Sequence, residues 1–158
     1  MSEAPRWRIA AEDPESDAAR TLLDELSEAL AAITGSSGRA SFDADDVRGP
    51  RAGFVVARDG EGTPAGCGAF RPLSDDIAEL KRMFVRPAHR GLGTALLAHL
   101  EDAARRAGYR ALWLETRAVN ERAVGFYRAR GYSPIPNFGK YVGRAEAVCF
   151  ARELEPAQ

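Results

Sequence analysis

The chain has 158 residues, 45% apolar and 28% charged, with a net charge of −1 at neutral pH. That is enough chain for one domain, spanning 1–158, with a substantial core, and too little net charge for a global field that recruits nucleic acid or a membrane surface. No apolar run reaches the length needed to cross a bilayer, and two cysteines without CxxC spacing plus two histidines argue against a disulfide framework or a metal cluster.

The opening "MSEAPRWRIAAEDPE" lacks the apolar centre of a signal peptide, so a cytoplasmic protein is expected. Arg6 to Ala11 alternates well enough for a first strand, and Asp13-Pro14 then stops it and opens a helix. Between Asp17 and Ile33 the apolar residues Ala19, Leu22, Leu23, Leu26, Leu30 and Ile33 form one helical stripe. The Gly-, Ser- and Asp-rich segment 34–50 reads as loop, with room for a short helical piece. Gly53 to Asp59 and Ala65 to Leu73 read as a hairpin about the turn "GEGTP", and Ile77 to Val85 as a third strand.

After Gly91, Leu92, Leu96, Leu100, Ala103 and Ala107 mark a long helix that Gly108 ends. Arg110 to Thr116 is an apolar strand suited to burial on both faces. "NERAVGFYRAR" is a short helix closed by Gly131, and "YSPI" and "EAVCFARELE" are final strands separated by "PNFGKYVGR". The expectation is an α/β (α+β) chain: a mixed sheet of six to seven strands, an antiparallel meander feeding a right-handed β-α-β crossover, and about four flanking helices.

The chemistry starts at "RGLGTA", Arg90 to Ala95, where a strand passes through two glycines into a helix. A helix start offers unpaired N–H groups and a partial positive charge to an anion. Gly91 and Gly93 remove side chains where a phosphate would approach, and Arg90, Arg86 and Arg82 supply positive charge. Glycines in such a turn also occur for steric reasons alone. A Walker loop would need Gly-Lys-Ser/Thr where this chain has Gly-Thr-Ala, and a dinucleotide fingerprint needs a third small residue where Leu96 stands.

The order of elements separates these readings. "RGLGTA" fits R-x-x-G-x-A after a strand and before a helix; a strand ending "LET" follows, and then Asn120, Ala123, Tyr127, Gly131 and Tyr132 in N-x-x-A-x-x-x-Y-x-x-x-G-Y. With these three linked motifs the chain resembles the GCN5-related N-acetyltransferase (GNAT) family from about Gly53 to Leu154.

The resemblance implies an acetyl-CoA-dependent N-acetyltransferase. Its pyrophosphate seat is the backbone of Gly91, Leu92, Gly93, Thr94 and Ala95, with Arg90 as the signature cation. Met83, Phe84 and Val85 are expected to bond the pantetheine arm through their backbone, with an N–H of Phe84 or its neighbour as oxyanion donor. Asn120 matches the asparagine that bonds the CoA arm and also suits an N-cap. Ala123 gives the arm room one turn before Tyr127, and Tyr127 matches the acid that protonates the leaving thiolate.

Deprotonating the acceptor amine calls for a carboxylate of raised pKa. Glu79 occupies the position where some members of the family keep a catalytic glutamate, and strict alternation would put Glu79, Lys81, Met83 and Val85 on one face. Glu115 on the next strand is the rival base. Phe138 and Tyr141 are candidate walls of the acceptor pocket, Arg71 and Arg117 candidate partners for an acceptor carboxylate, and Cys67 a candidate pocket residue. The acceptor is expected to be a small amine, with no nucleic acid, membrane or metal involved, and a homodimer is compatible. The alternatives are a non-catalytic acyl-CoA-binding regulatory module and a protein lysine or N-terminal acetyltransferase.

Overall fold

A computed structural model describes residues 6–39 and 42–156. Its elements are β1 (Arg8–Ala11), α1 (Asp17–Thr34), β2 (Gly53–Arg58), β3 (Pro64–Pro72), β4 (Ile77–Val85), α2 (Leu92–Arg106), β5 (Ala111–Arg117), α3 (Glu121–Ala129), β6 (Ser133–Ile135) and β7 (Ala147–Glu153). They form one seven-stranded sheet in the order β1-β2-β3-β4-β5-β7-β6. The β4–β5 pair is parallel, as a crossover through α2 requires, and the other described pairs are antiparallel.

Local chemistry sets the ends of the helices. The Ser16 hydroxyl accepts from the Ala19 N–H and caps α1, and Gly35 at φ +80 ends it. The expected four helices are three α-helices among the described residues, with 3-10 turns at Ala44–Val47 and Gly139–Tyr141. Segment 34–50 is too polar to sustain another helix: within Ala44–Val47 only Val47 is buried.

Apolar side chains of both sheet faces make the core. Leu92, Leu96, Leu97 and Leu100 of α2 pack with Leu112, Leu114 and Phe150 on one face, all at most 2% exposed. Each such leucine is worth about 1.5–3 kcal/mol of burial. On the other face Ala19 and Leu22 of α1 pack on Val56, Cys67 and Ala69. β3 has glycines under α2 because no side chain fits: a Cβ at Gly68 would lie 2.6 Å from Cδ1 of Leu100 and 2.7 Å from Sδ of Met83.

Two irregularities in β4 open the centre of the sheet. The parallel pairing with β5 ends at Glu79↔Trp113, although β4 continues to Val85 and β5 to Arg117. The two strands therefore splay apart. In addition, the β3–β4 register shifts between Cys67↔Phe84 and Ala69↔Lys81, so Gly68 faces the pair Arg82 and Met83. Arg82 sits at φ +55, a β-bulge conformation. The extra residue inverts the alternation: Leu80 and Met83 both pack on the α2 face, while Glu79 points to the opposite one. The single face expected for Glu79, Lys81, Met83 and Val85 therefore does not form.

Candidate active site

The splay opens a cleft enclosing ≈ 860 Å³ with its open mouth. One side is lined by Met83 of β4 and by Asn120, Ala123 and Tyr127 around α3; the other by Leu26 and Leu30 of α1, with Lys81, Glu115, Arg117 and Tyr141 at its base. The sequence pattern thus converges on one space, although its residues come from separate strands, helices and turns.

At the glycine turn, Gly91 is the N-cap of α2 at φ +91, and no side chain caps the helix. A left-handed residue suits glycine there. The Leu92 and Ala95 N–H groups bond His89 and Gly91 oxygens. Gly93 packs on the Phe126 ring, where a Cβ would come within 3.2 Å of Cε1. An uncapped helix start with glycines at its approach fits an anion such as a pyrophosphate.

Of the three cations expected around this seat, Arg90 precedes Gly91 directly and the other two are engaged elsewhere. Arg90 is exposed. Arg86 instead makes a two-pronged ion pair with Glu25 of α1, at 2.8 and 2.6 Å, and also bonds the Pro64 oxygen. Arg82 is tied to Ser27 Oγ at 2.6 Å and to the Leu23 and Ser37 oxygens. Both hold α1 to the sheet. The cation that does reach the turn is Arg130, whose Nη1 donates to Thr94 Oγ1 at 2.5 Å and whose guanidinium lies 5.3 Å from the Phe126 ring centroid. Nothing in "YRARGY" marks Arg130 from the sequence, because its proximity to Thr94 is purely tertiary. Trp7 closes the other flank, donating from Nε1 to Nδ1 of His89 at 3.2 Å.

The backbone of β4 beyond the splay is also accounted for. The Arg86 N–H bonds the Ala65 oxygen of β3. By alternation the Phe84 backbone turns to β3 as well, and the Met83 and Val85 amides turn to the gap. The Phe84 side chain packs on the α1 face. Asn120 is the N-cap of α3, its side chain accepting from the Ala123 N–H at 3.3 Å. Ala123 and Tyr127 line the cleft one turn apart, and burial raises the Tyr127 hydroxyl above its usual range. Tyr132 is structural: it donates to buried Glu101 at 2.8 Å, which Arg152 also bonds.

The two carboxylates at the base of the cleft differ sharply. Glu79 is 2% exposed and both its oxygens are engaged: Oε1 accepts from Arg71 at 2.7 Å and Oε2 from the Tyr141 hydroxyl at 2.9 Å. Glu115 lines the cleft directly; desolvation raises its pKa, against the pull of Arg117 at 3.1 Å. Lys81 lines the cleft too, and burial lowers its ammonium to about 8. Phe138 is core rather than pocket, its ring centroid 5.2 Å from that of Trp113 at a tilt of 58°. Cys67 is fully buried away from the cleft, and burial pushes its thiol up to about 12, too inert for a nucleophile. Among the described residues no group of three His, Cys, Asp or Glu side chains is placed to hold a metal ion, and no helix is long and apolar enough to cross a membrane.

The family model described as Acetyltransferase (GNAT) family matches residues 18–132. An IAA acetyltransferase of Azospirillum brasilense is 37% identical over 140 residues, covering 87% of this chain and 91% of the relative. A [ribosomal protein bS18]-alanine N-acetyltransferase of Escherichia coli K12 is 37% identical over 82 residues, which cover 48% of this chain and 55% of the relative. A solved GNAT family acetyltransferase from Elizabethkingia anophelis with acetyl-CoA bound superposes with a TM-score of 0.70 at 14% identity, over 96% of this chain and 100% of that one, a likeness of fold.

Proposed function

The chain belongs to the acetyltransferase (GNAT) family and is an N-acetyltransferase, and on that premise we propose that it moves the acetyl group of acetyl-CoA directly to the amine of a small molecule. The observation that carries the reading is the end of β4–β5 pairing at Glu79↔Trp113, with Tyr127 and Glu115 both lining the resulting cleft. Acetyl-CoA supplies the thioester, and the residues present fit it: the Gly91 to Ala95 turn with Arg90 and Arg130 for the pyrophosphate, Met83 and Val85 for the arm, and Asn120 and Ala123 beside it.

Each side chain then has a definite task. The Met83 or Val85 amide faces the gap and stabilises negative charge on the carbonyl oxygen in the transition state. Tyr127 is protonated at neutral pH, as a phenol with burial raising its pKa further must be, and it delivers that proton to the departing sulfur. Glu115 takes the proton of the attacking amine, since its raised pKa brings it closer to a useful base. Glu79, held by Arg71 and Tyr141, positions the floor of the cleft instead.

A small acceptor follows from the enclosure of the far side by Leu26, Leu30 and Tyr141. Action in the cytoplasm, by one domain spanning 1–158, belongs to the same proposal. The test is thiol release from acetyl-CoA across a panel of primary amines, run beside labelling of a lysate with radioactive acetyl-CoA. Turnover of a small amine without protein labelling is the expected result. Labelled proteins with no amine turned over would replace the small molecule by a protein acceptor, the class that the Escherichia coli relative's name describes.

A further inference from the structure

Of the 22 Lys and Arg residues, only Lys81 and Lys140 are lysines, and their side chains interact. Lys81 is 8% exposed and lines the same cleft as Tyr127 and Ala123. Lys140 is exposed on the 3-10 turn that carries Tyr141, with Nζ 5.8 Å from that ring centroid. Arginine would carry the same charge in a Glu79–Arg71 or Glu115–Arg117 setting and would not react with a thioester. An amine at position 81 is therefore a chemically distinct choice.

We propose that Lys81 is an internal acetyl acceptor: when no amine substrate fills the cleft, the enzyme acetylates its own Lys81 and closes its acceptor site. This rests on the acetyl-CoA reading above. The Nζ lone pair attacks the thioester carbonyl carbon, a C–N bond forms, the C–S bond breaks, and the sulfur leaves as free CoA thiol with the Tyr127 proton. The proton lost from Nζ passes to Glu115, which lines the same cleft and which the Lys81 charge already reaches. Burial supports the step, because it leaves a fraction of the Lys81 side chain neutral near pH 8. The groups facing Lys81 are Glu79, Glu115, Arg71, Lys140 and Tyr141. Acetylation removes one positive charge from among them and adds bulk where the acceptor enters.

The test incubates the full chain with acetyl-CoA and no acceptor, then measures intact mass and maps the peptides. One acetyl group should accumulate on Lys81, at least about tenfold faster than on exposed Lys140, at a rate independent of protein concentration. Tyr127→Phe should slow it, and Lys81→Arg should abolish it while Lys140 stays a slow background target. The modified protein should turn over external amines more slowly than the unmodified one. Two results would overturn the proposal while the acetyltransferase reading stands: amine turnover with Lys81 unmodified, or equal labelling of both lysines that Tyr127→Phe leaves unchanged. Failure to bind acetyl-CoA, read by titration calorimetry, would overturn both.

Discussion

The Tyr141 hydroxyl donates to Oε2 of Glu79 across 2.9 Å, so a side chain from the turn before β7 completes the shell of a buried carboxylate in the middle of β4. The bond spans 62 residues of sequence and ties the 3-10 turn, whose Tyr141 lines the cleft, to β4. Removing the hydroxyl leaves one carboxylate oxygen buried without that donor. Tyr141→Phe should cost about 1–3 kcal/mol, read as a lower denaturant midpoint at unchanged m-value. A midpoint equal to the parent's would show that water replaces the hydroxyl without loss.

Tyr127 lines the cleft as a protonated phenol, its pKa raised further by burial. Tyr127→Phe should lower kcat about 100-fold and leave the KM for acetyl-CoA within a factor of about two, because the lost interaction belongs to the transition state. Steady-state thiol release measures both. An unchanged kcat would assign the thiolate's proton to solvent.

Arg130 on Thr94 adds a cation at the open end of α2. Arg130→Met should raise the KM for acetyl-CoA about tenfold, equivalent to about 1.4 kcal/mol, and the deficit should shrink at high salt. Gly93→Asp should abolish binding outright, by crowding Phe126 and by repelling the phosphates. Arg130→Met with parental affinity would leave that end of the site to Arg90.

Glu115 carries opposite signs for activity and stability. Its folded pKa lies above the ordinary 4.5 because of desolvation, so kcat/KM should rise with pH as it ionises, on a limb above the usual glutamate range. Over the window between 4.5 and that raised value the folded state binds more protons than the unfolded one, so this residue's contribution to stability falls as pH rises. Glu115→Gln should remove the acid limb and flatten its share of the stability profile. A limb that survives in the variant would point to another base.

Gly68 lies under α2 with Leu100 and Met83 too close to admit a side chain. Gly68→Val should destabilise by about 1–3 kcal/mol through overpacking, seen as a lower Tm. It should also weaken turnover, since the displaced Met83 belongs to the cleft. A parental Tm would mean that the helix shifts at no cost.

Periodicity located nearly every element of this fold, and the spacing of "RGLGTA" and Asn120 to Tyr127 picked out an uncapped helix start and three residues, Asn120, Ala123 and Tyr127, that line one cleft. Those signals are local: each is a helix start or one face of one helix. The tertiary contacts around the cleft were not legible in the same way. Tyr141 on Glu79, Arg130 on Thr94 and the diversion of Arg86 to Glu25 join residues 36 to 62 positions apart, and no spacing rule encodes them. The bulge at Arg82 was hidden for a different reason. A left-handed arginine has no compositional mark, yet it reverses every side-chain assignment that alternation makes beyond it.

The same reversal makes β4 divisible. Residues 77–81 and residues 83–85 behave as two modules spliced at a hinge of one residue, each with its own phase. In the proposed mechanism the first serves the acceptor and the second the donor. Grafting a different 77–81 segment should therefore redirect which amine is accepted while leaving acetyl-CoA affinity intact, provided Arg82 remains the splice. Deleting Arg82 would instead merge the two modules into one regularly alternating strand, with residues 83–85 on the faces they already hold and the bulge between the modules gone.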